Sequence, residues 1–275
     1  MRSILASALA ACHLHIFSSN VSPSFFVNAA TSPSLAGPMG KECLEGSKYT
    51  GQTKGRNMTI AGVPTYVLVN VTKVIMYFPD IFGPFYINNE LLQDHFASQG
   101  FHVLSPDYFF GDPVQNHDGE PGFNQTEWLD KSVQQANDSV PGWIRAVREL
   151  YGPNAKYSAV GYCFGAPYAM NVGATDDVVA TAFAHPGLLT EDHFYRLTKP
   201  LLMSCAVETD FTFSTEALRR SHDILTETNA TYHLQVFSGT IHGFTTRSDP
   251  NVPNSVWAKE QSAKSVVNWF NRFSV

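Results

Sequence analysis

Residues 157 to 172 constrain this chain more than any other stretch. Tyr157-Ser158-Ala159-Val160 is a short apolar run, Gly161-Tyr162-Cys163-Phe164-Gly165 follows it, and Ala166 to Val172 carries a helical pattern. A strand that passes directly into a helix, with a nucleophile between two small residues, is a nucleophile elbow with Cys replacing the commoner Ser. The turn is so tight that only tiny neighbours fit two residues either side. It sets the Cys163 thiol at the edge of a sheet, on a helix N-terminus whose dipole favours thiolate. The N–H of Phe164 then faces the place where an oxyanion develops.

The rest of the chain repeats the strand–helix alternation. Met58–Ile60 and Thr65–Val69 read as an antiparallel edge hairpin, and Val74–Phe78, Phe101–Ser105, Val179–Ala184, Leu201–Val207 and Tyr232–Phe237 as strands. Asn88–Ser98, Val140–Leu150, Glu191–Leu197, Thr215–Thr228 and Ser255–Phe273 have helical periodicity. Such alternation implies right-handed crossovers and a mainly parallel central sheet with helices on both faces, an α/β class. Tyr108 to Asn137, rich in Gly, Pro, Asn and aromatics, is expected as a long functional loop. The domain therefore spans 57–275, preceded by an N-terminal arm at 30–56 and a leader at 1–29.

A hydrolase built on such an elbow needs an acid and a histidine later in the chain, in the order nucleophile, acid, base. Asp210 follows the strand ending at Val207, and His242 follows the strand ending at Phe237, so both fall at the same sheet edge. His242 would draw the proton from Cys163 while Asp210 orients the ring. Glu208 is the rival acid, and His185 also ends a strand at this edge, where it is expected to line the pocket. This is the arrangement of an α/β-hydrolase fold.

Charge excludes other classes. With 18 Lys plus Arg against 24 Asp plus Glu and only 15% charged residues, the chain has no basic footprint for nucleic acid. No run of 18 apolar residues predicts a membrane span. No His-x-x-x-His or Cys-x-x-Cys pair predicts a metal site, and no cofactor is expected. The complete triad argues against a non-catalytic binding protein.

Met1-Arg2 and the short apolar run to Ala11, followed by a Ser/Asn/Pro stretch, have the layout of a secretory signal peptide, with cleavage expected after Val27-Asn28-Ala29. Acceptors for N-glycosylation occur at Asn20, Asn57, Asn70, Asn124, Asn137 and Asn229, against roughly two or three expected by chance. A secreted glycoprotein is the expectation. Cleavage would leave Cys43, Cys163 and Cys205, an odd number, and Cys205 sits inside a core strand where pairing with Cys43 is not expected.

Phe78-Pro79-Asp80-Ile81-Phe82-Gly83, Leu104-Ser105-Pro106-Asp107, the elbow itself, Ala184-His185-Pro186, Glu208-Thr209-Asp210 and His242-Gly243-Phe244 together resemble the dienelactone hydrolase family in its fungal-type branch. The resemblance covers about residues 42 to 273. It implies a Cys163–His242–Asp210 triad, an oxyanion hole from the N–H groups of Ile81 and Phe164, and hydrolysis of a lactone or enol ester through a thioester. Family members that cleave dienelactone carry glutamate at the position of Asp80, where the acid helps control the resting thiol, and grip a substrate carboxylate with two arginines. Here Tyr108-Phe109-Phe110 supplies no arginine, and Arg247 is expected to stand in for the second. One cation among several aromatics suggests a larger, more apolar small-molecule lactone or ester, of polyketide-like secondary metabolism. A non-hydrolytic cyclase, isomerase or lyase using the same pocket is the alternative, and the chain is expected to be a monomer or homodimer.

Overall fold

The structure, a computed structural model, describes residues 32–68, 72–206 and 210–275. Eight strands form one sheet: β1 (Arg56–Ile60), β2 (Val63–Leu68), β3 (Lys73–Phe78), β4 (His102–Pro106), β5 (Lys156–Tyr162), β6 (Ala180–Ala184), β7 (Leu201–Ala206) and β8 (Tyr232–Phe237). Their spatial order is β1-β2-β4-β3-β5-β6-β7-β8. Strand β2 runs antiparallel to β1 and β4, and every other pairing is parallel. The predicted edge hairpin and parallel sheet are therefore present.

Helices α1 (Ile87–Ser98), α2 (Gln125–Tyr151), α3 (Ala166–Gly173), α4 (Glu191–Tyr195), α5 (Thr215–Glu227), α6 (Phe244–Arg247) and α7 (Pro253–Phe273) connect the strands. The pleat of β3 explains the layering. Val74, Met76 and Phe78 pack with Val140, Trp143 and Val147 of α2, whereas Ile75 and Tyr77 pack with Phe96 of α1 and Phe270 of α7. Side chains alternate between faces with period two, so a strand covered on both sides reads as an unbroken apolar run.

Two expectations change. Helix α2 begins at Gln125, not Val140, and takes up much of the stretch expected as a loop. The side chain of Asn124 accepts from the N–H groups of Thr126 and Glu127, capping the helix, and Trp128, Leu129, Ser132, Ala136 and Val140 form its buried stripe. Gln, Asn and Asp between those anchors, and Pro141 within the helix, conceal the period in the sequence.

The second change concerns the arm. The N–H groups of Leu35 and Ala36 donate to Leu189 O, that of Gly37 donates to Thr212 O, and Ser34 bridges Thr190. Farther on, residues Lys41–Leu44 form one 3-10 turn that brings Cys43 to full burial. The segment is thus built into the domain through main-chain bonds, which Ser/Pro/Gly-rich sequence can make without an apolar pattern. The leader, with Asn20, and also Asn70 and Glu208, lie outside the described residues. Among the described residues no helix is long and apolar enough to cross a membrane.

Candidate active site

The elbow stands between the C-terminal end of β5 and α3, and its backbone confirms the expected strain. Cys163 has φ +49°, a left-handed conformation rare for a residue with a Cβ. A Cβ added at Gly161 would overlap the Gly165 carbonyl, and one at Gly165 would overlap the carbonyl of Phe78 on β3. Both glycines are therefore required by close approach, and the second presses the elbow against the start of the Ile81 loop.

The other two members arrive from the loops after β7 and β8. His242 Nδ1 lies 3.0 Å from Asp210 Oδ1, and His242 Nε2 lies 3.1 Å from Cys163 Sγ. Asp210 Oδ1 also accepts from the N–H groups of Thr212 (3.0 Å) and Phe213 (3.2 Å), which fixes the carboxylate. Gly243, at φ +83°, turns the chain directly after His242. All three side chains are buried. The three residues chosen from the sequence are thus brought together in order.

Ile81 and Phe164, the residues expected as oxyanion donors, lie in the loop after β3 and in the elbow turn. Ile81 follows the end of β3 that Gly165 touches, and among the described residues its N–H has no hydrogen-bond partner. Phe164 lies in the first turn leading into α3, where backbone N–H groups have no intrahelical acceptor.

Asp80 and Arg247 meet each other instead of an open pocket. Asp80 Oδ1 accepts from Phe82 N–H (3.1 Å) and Asn89 Nδ2 (2.9 Å), and Oδ2 from Thr246 Oγ1 (2.9 Å) and Arg247 Nη1. Arg247 further donates from Nη2 to Cys43 O (2.9 Å) and from Nε to Glu45 O (3.0 Å), with its guanidinium stacked over Phe82. The cation expected to hold a substrate carboxylate is thus committed to Asp80 and to the N-terminal segment. The Tyr108 hydroxyl donates to Pro79 O, and the Tyr108 and Phe109 rings pack on Phe164.

Cys43 is the residue that sequence reasoning missed. Its Sγ lies 3.8 Å from Cys163 Sγ, which donates to it. Two buried thiols in contact cannot both ionise, so the pair carries at most one negative charge. The S–H of Cys163, accepted by Cys43, brings the Cys43 thiol down to about 6, while burial and then the Cys43 charge push Cys163 up. Burial opposes the imidazolium of His242, but the sulfur charge and Asp210 outweigh it and hold His242 at about 10. The sulfur of Cys43 occupies the place beside the resting thiol that family resemblance assigned to Asp80. No sequence signal announced it, since Cys43 lies 120 residues away in an unpatterned stretch. Cys205 belongs to a different core cluster, packed with Phe183, Met203 and Ile224, and all three described cysteines are free thiols.

His185 sits edge-on to His242 with ring centres 5.1 Å apart, and its Nδ1 is bonded to Thr245 Oγ1 at 2.9 Å. Burial and the nearby charges of His242 and Arg247 keep it neutral. It packs against the His242 ring and is fully buried. Among the glycosylation acceptors, Asn57, Asn124 and Asn229 are exposed, Asn124 capping α2 through its Oδ1 alone, and Asn137 is half-buried within α2, accepting from Tyr168.

A strained elbow, a buried acid–base pair in the order Cys, Asp, His, and this strand order define an α/β-hydrolase. Comparison with known proteins narrows the class: residues 60–274 match the model of the dienelactone hydrolase family. The chain is 33% identical over 251 residues to dienlactone hydrolase 1 of Gibberella moniliformis, covering 87% of this chain and 95% of that one. It is 32% identical to hydrolase pyvD of Aspergillus violaceofuscus, over 86% and 97% of the two chains. A putative dienelactone hydrolase from Klebsiella pneumoniae has the same fold, with a TM-score of 0.66 at 15% identity over 81% of this chain and all of that one. The chain belongs to the dienelactone hydrolase family and is an ester or lactone hydrolase.

Proposed function

We propose that the protein cleaves a lactone, or an enol or aryl ester, by covalent catalysis on Cys163. The observation that carries this reading is the 3.1 Å approach of His242 Nε2 to a sulfur held on a strained elbow. His242 first returns its proton to the Cys43 thiolate and then takes the Cys163 proton as the sulfur attacks the carbonyl, while the Ile81 and Phe164 N–H groups hold the oxyanion. Collapse expels the alkoxide, enolate or phenolate, which takes its proton from His242. Water, losing a proton to His242, then cleaves the thioester and restores the thiol.

Aromatic residues around the elbow and an arginine already paired with Asp80 support an aromatic or polyketide-like substrate over a small dicarboxylic one. The protein acts in secondary metabolism in the secretory pathway, glycosylated at the exposed Asn57, Asn124 and Asn229. Intact-mass analysis after incubation with a panel of lactones and aryl esters tests all of this together. The expected result is one acyl adduct on Cys163, loss of the leader, and glycan mass. Replacing Cys163 by Ala should lower kcat by at least about 10³-fold, the usual scale for losing a nucleophile. Unchanged turnover in that variant, with no water incorporated, would move the reading to a non-hydrolytic isomerase or cyclase.

A further inference from the structure

We propose that Cys43, Cys163 and His242 form a binding site for zinc, and that an ion seated there holds the enzyme off. Three elements far apart in sequence converge here: the 3-10 turn at 41–44, the elbow, and the loop after β8. Their two Sγ atoms and the imidazole nitrogen all lie within 4.8 Å of one another, and all three residues are buried. Sulfur and imidazole donors select zinc over magnesium or calcium, which take oxygen.

One of the two sulfur separations already fits that ion and the other lies close to it. Two thiolates at about 2.3 Å from a tetrahedral zinc stand about 3.8 Å apart, and Cys43 Sγ and Cys163 Sγ are 3.8 Å apart. A thiolate and an imidazole nitrogen on the same ion stand about 3.6 Å apart. The observed 3.1 Å between Cys163 Sγ and His242 Nε2 must therefore open by about half an ångström, the difference between a hydrogen bond and a shared ligand.

The surroundings are those of a metal centre. The far nitrogen of His242 is held by Asp210 at 3.0 Å, the carboxylate–histidine pairing that fixes the tautomer and ring of a zinc ligand. The Cys43 carbonyl is anchored by Arg247, whose own charge Asp80 balances. Binding releases the Cys163 thiol proton and the Nε2 proton of His242 to solvent, and the two thiolates then neutralise the dication. Three protein ligands leave a fourth position for a water or substrate oxygen. The ion takes the lone pair of the proposed nucleophile together with that of its base. The coordination stands on the geometry alone, whereas its effect on turnover rests on the thiol mechanism proposed above.

The test uses the full chain under anaerobic conditions with a phosphine reductant, so that oxidation does not join the two sulfurs. Cadmium titration should give a sulfur-to-metal charge-transfer band saturating at one ion per chain. Zinc, measured by competition with a chromophoric chelator, should bind at the same stoichiometry. Cys43→Ala should roughly halve the band and weaken zinc by at least about 100-fold. Asp210→Asn should weaken it 10- to 100-fold. Cys205→Ala, which alters a thiol outside the site, should change neither, and circular dichroism confirms that each variant is folded. On the wild type, one equivalent of zinc should abolish turnover and a chelator should restore it. Equal zinc affinity in folded Cys43→Ala, or loss of the band in Cys205→Ala, overturns the site. A normal band in a protein whose turnover survives Cys163→Ala overturns the thiol mechanism and leaves the metal site standing.

Discussion

The elbow and the N-terminal segment meet at two sulfur atoms, yet different physics holds them. The elbow is fixed by exclusion: no side chain fits at Gly161 or Gly165, and a left-handed Cys163 is the result. The segment is fixed by stitching. Asn88 Nδ2 donates to Ser47 O (2.8 Å) and Thr246 O (2.9 Å), Asn88 Oδ1 accepts from Tyr49 N–H (2.8 Å), and Ser47 N–H donates to Arg247 O (3.0 Å). Sterically determined geometry is written into residue types, whereas a seam of main-chain bonds can be made by almost any sequence. Substitutions on the two sides should therefore fail differently.

The largest effect belongs to the elbow. Gly165→Ala drives a methyl into the Phe78 carbonyl, and backbone on both sides leaves nothing flexible to yield. The expected outcome is loss of soluble folded protein, read by expression yield and circular dichroism. Wild-type-like yield would show that the elbow has more room than these contacts allow.

Next comes the hub of the seam. Arg247→Met removes the buried partner of Asp80 and the donors to Cys43 O and Glu45 O. Breaking one side of a buried pair costs about 3–5 kcal/mol, measurable by denaturant unfolding. Hydrogen exchange should rise at residues 43–49 while the amides of β5 stay protected. Uniform loss of protection would mean that the segment and the elbow unfold as one unit.

This difference also explains what was legible beforehand. The sheet, the elbow and the order Cys163, Asp210, His242 are each marked by apolar runs ending at small or polar residues, so a single sequence reveals them. Cys43 is not marked, because its position depends on Arg247 reaching back 204 residues to its carbonyl. Arg247 itself reads as a free cation until the fold supplies Asp80. The first half of α2 is hidden for a related reason: its apolar anchors are separated by Gln, Asn and Asp, and the helix is secured by tertiary packing and the Asn124 cap.

Acid should loosen the seam at its other end. His193 Nδ1 accepts from the N–H of Thr190 at 3.0 Å, so it must be unprotonated, and Thr190 is the residue that Ser34 bridges. Burial lowers His193 to about 4, against the partly opposing charge of Asp192 and the supporting one of Arg196. The unfolded chain binds this proton near the ordinary 6.5, so stability is full above that value and falls with acidification down to about pH 4. Between pH 7.5 and 5 the loss from this residue is about 2 kcal/mol. His193→Gln should flatten the pH dependence of Tm. An unchanged slope would place the acid sensitivity elsewhere, with His102 the next choice, since burial lowers it too, to about 4.

The smallest test is the most local. The Tyr49 hydroxyl donates to Ser248 O at 2.7 Å, and Lys259 Nζ lies over the same ring at 3.7 Å. Tyr49→Phe keeps the ring and its cation contact and deletes only the hydroxyl. The expected cost is about 1 kcal/mol, the net value of one hydrogen bond. Because Ser248 immediately follows Arg247, the loss should act on the seam and leave the elbow untouched: faster amide exchange near residues 47–49, with an unchanged rate of Cys163 alkylation in the denatured chain and a raised rate in the native one. Equal native alkylation rates in Tyr49→Phe and wild type would show that the segment does not control access to Cys163, and the contrast between the two regions would then be one of stability alone.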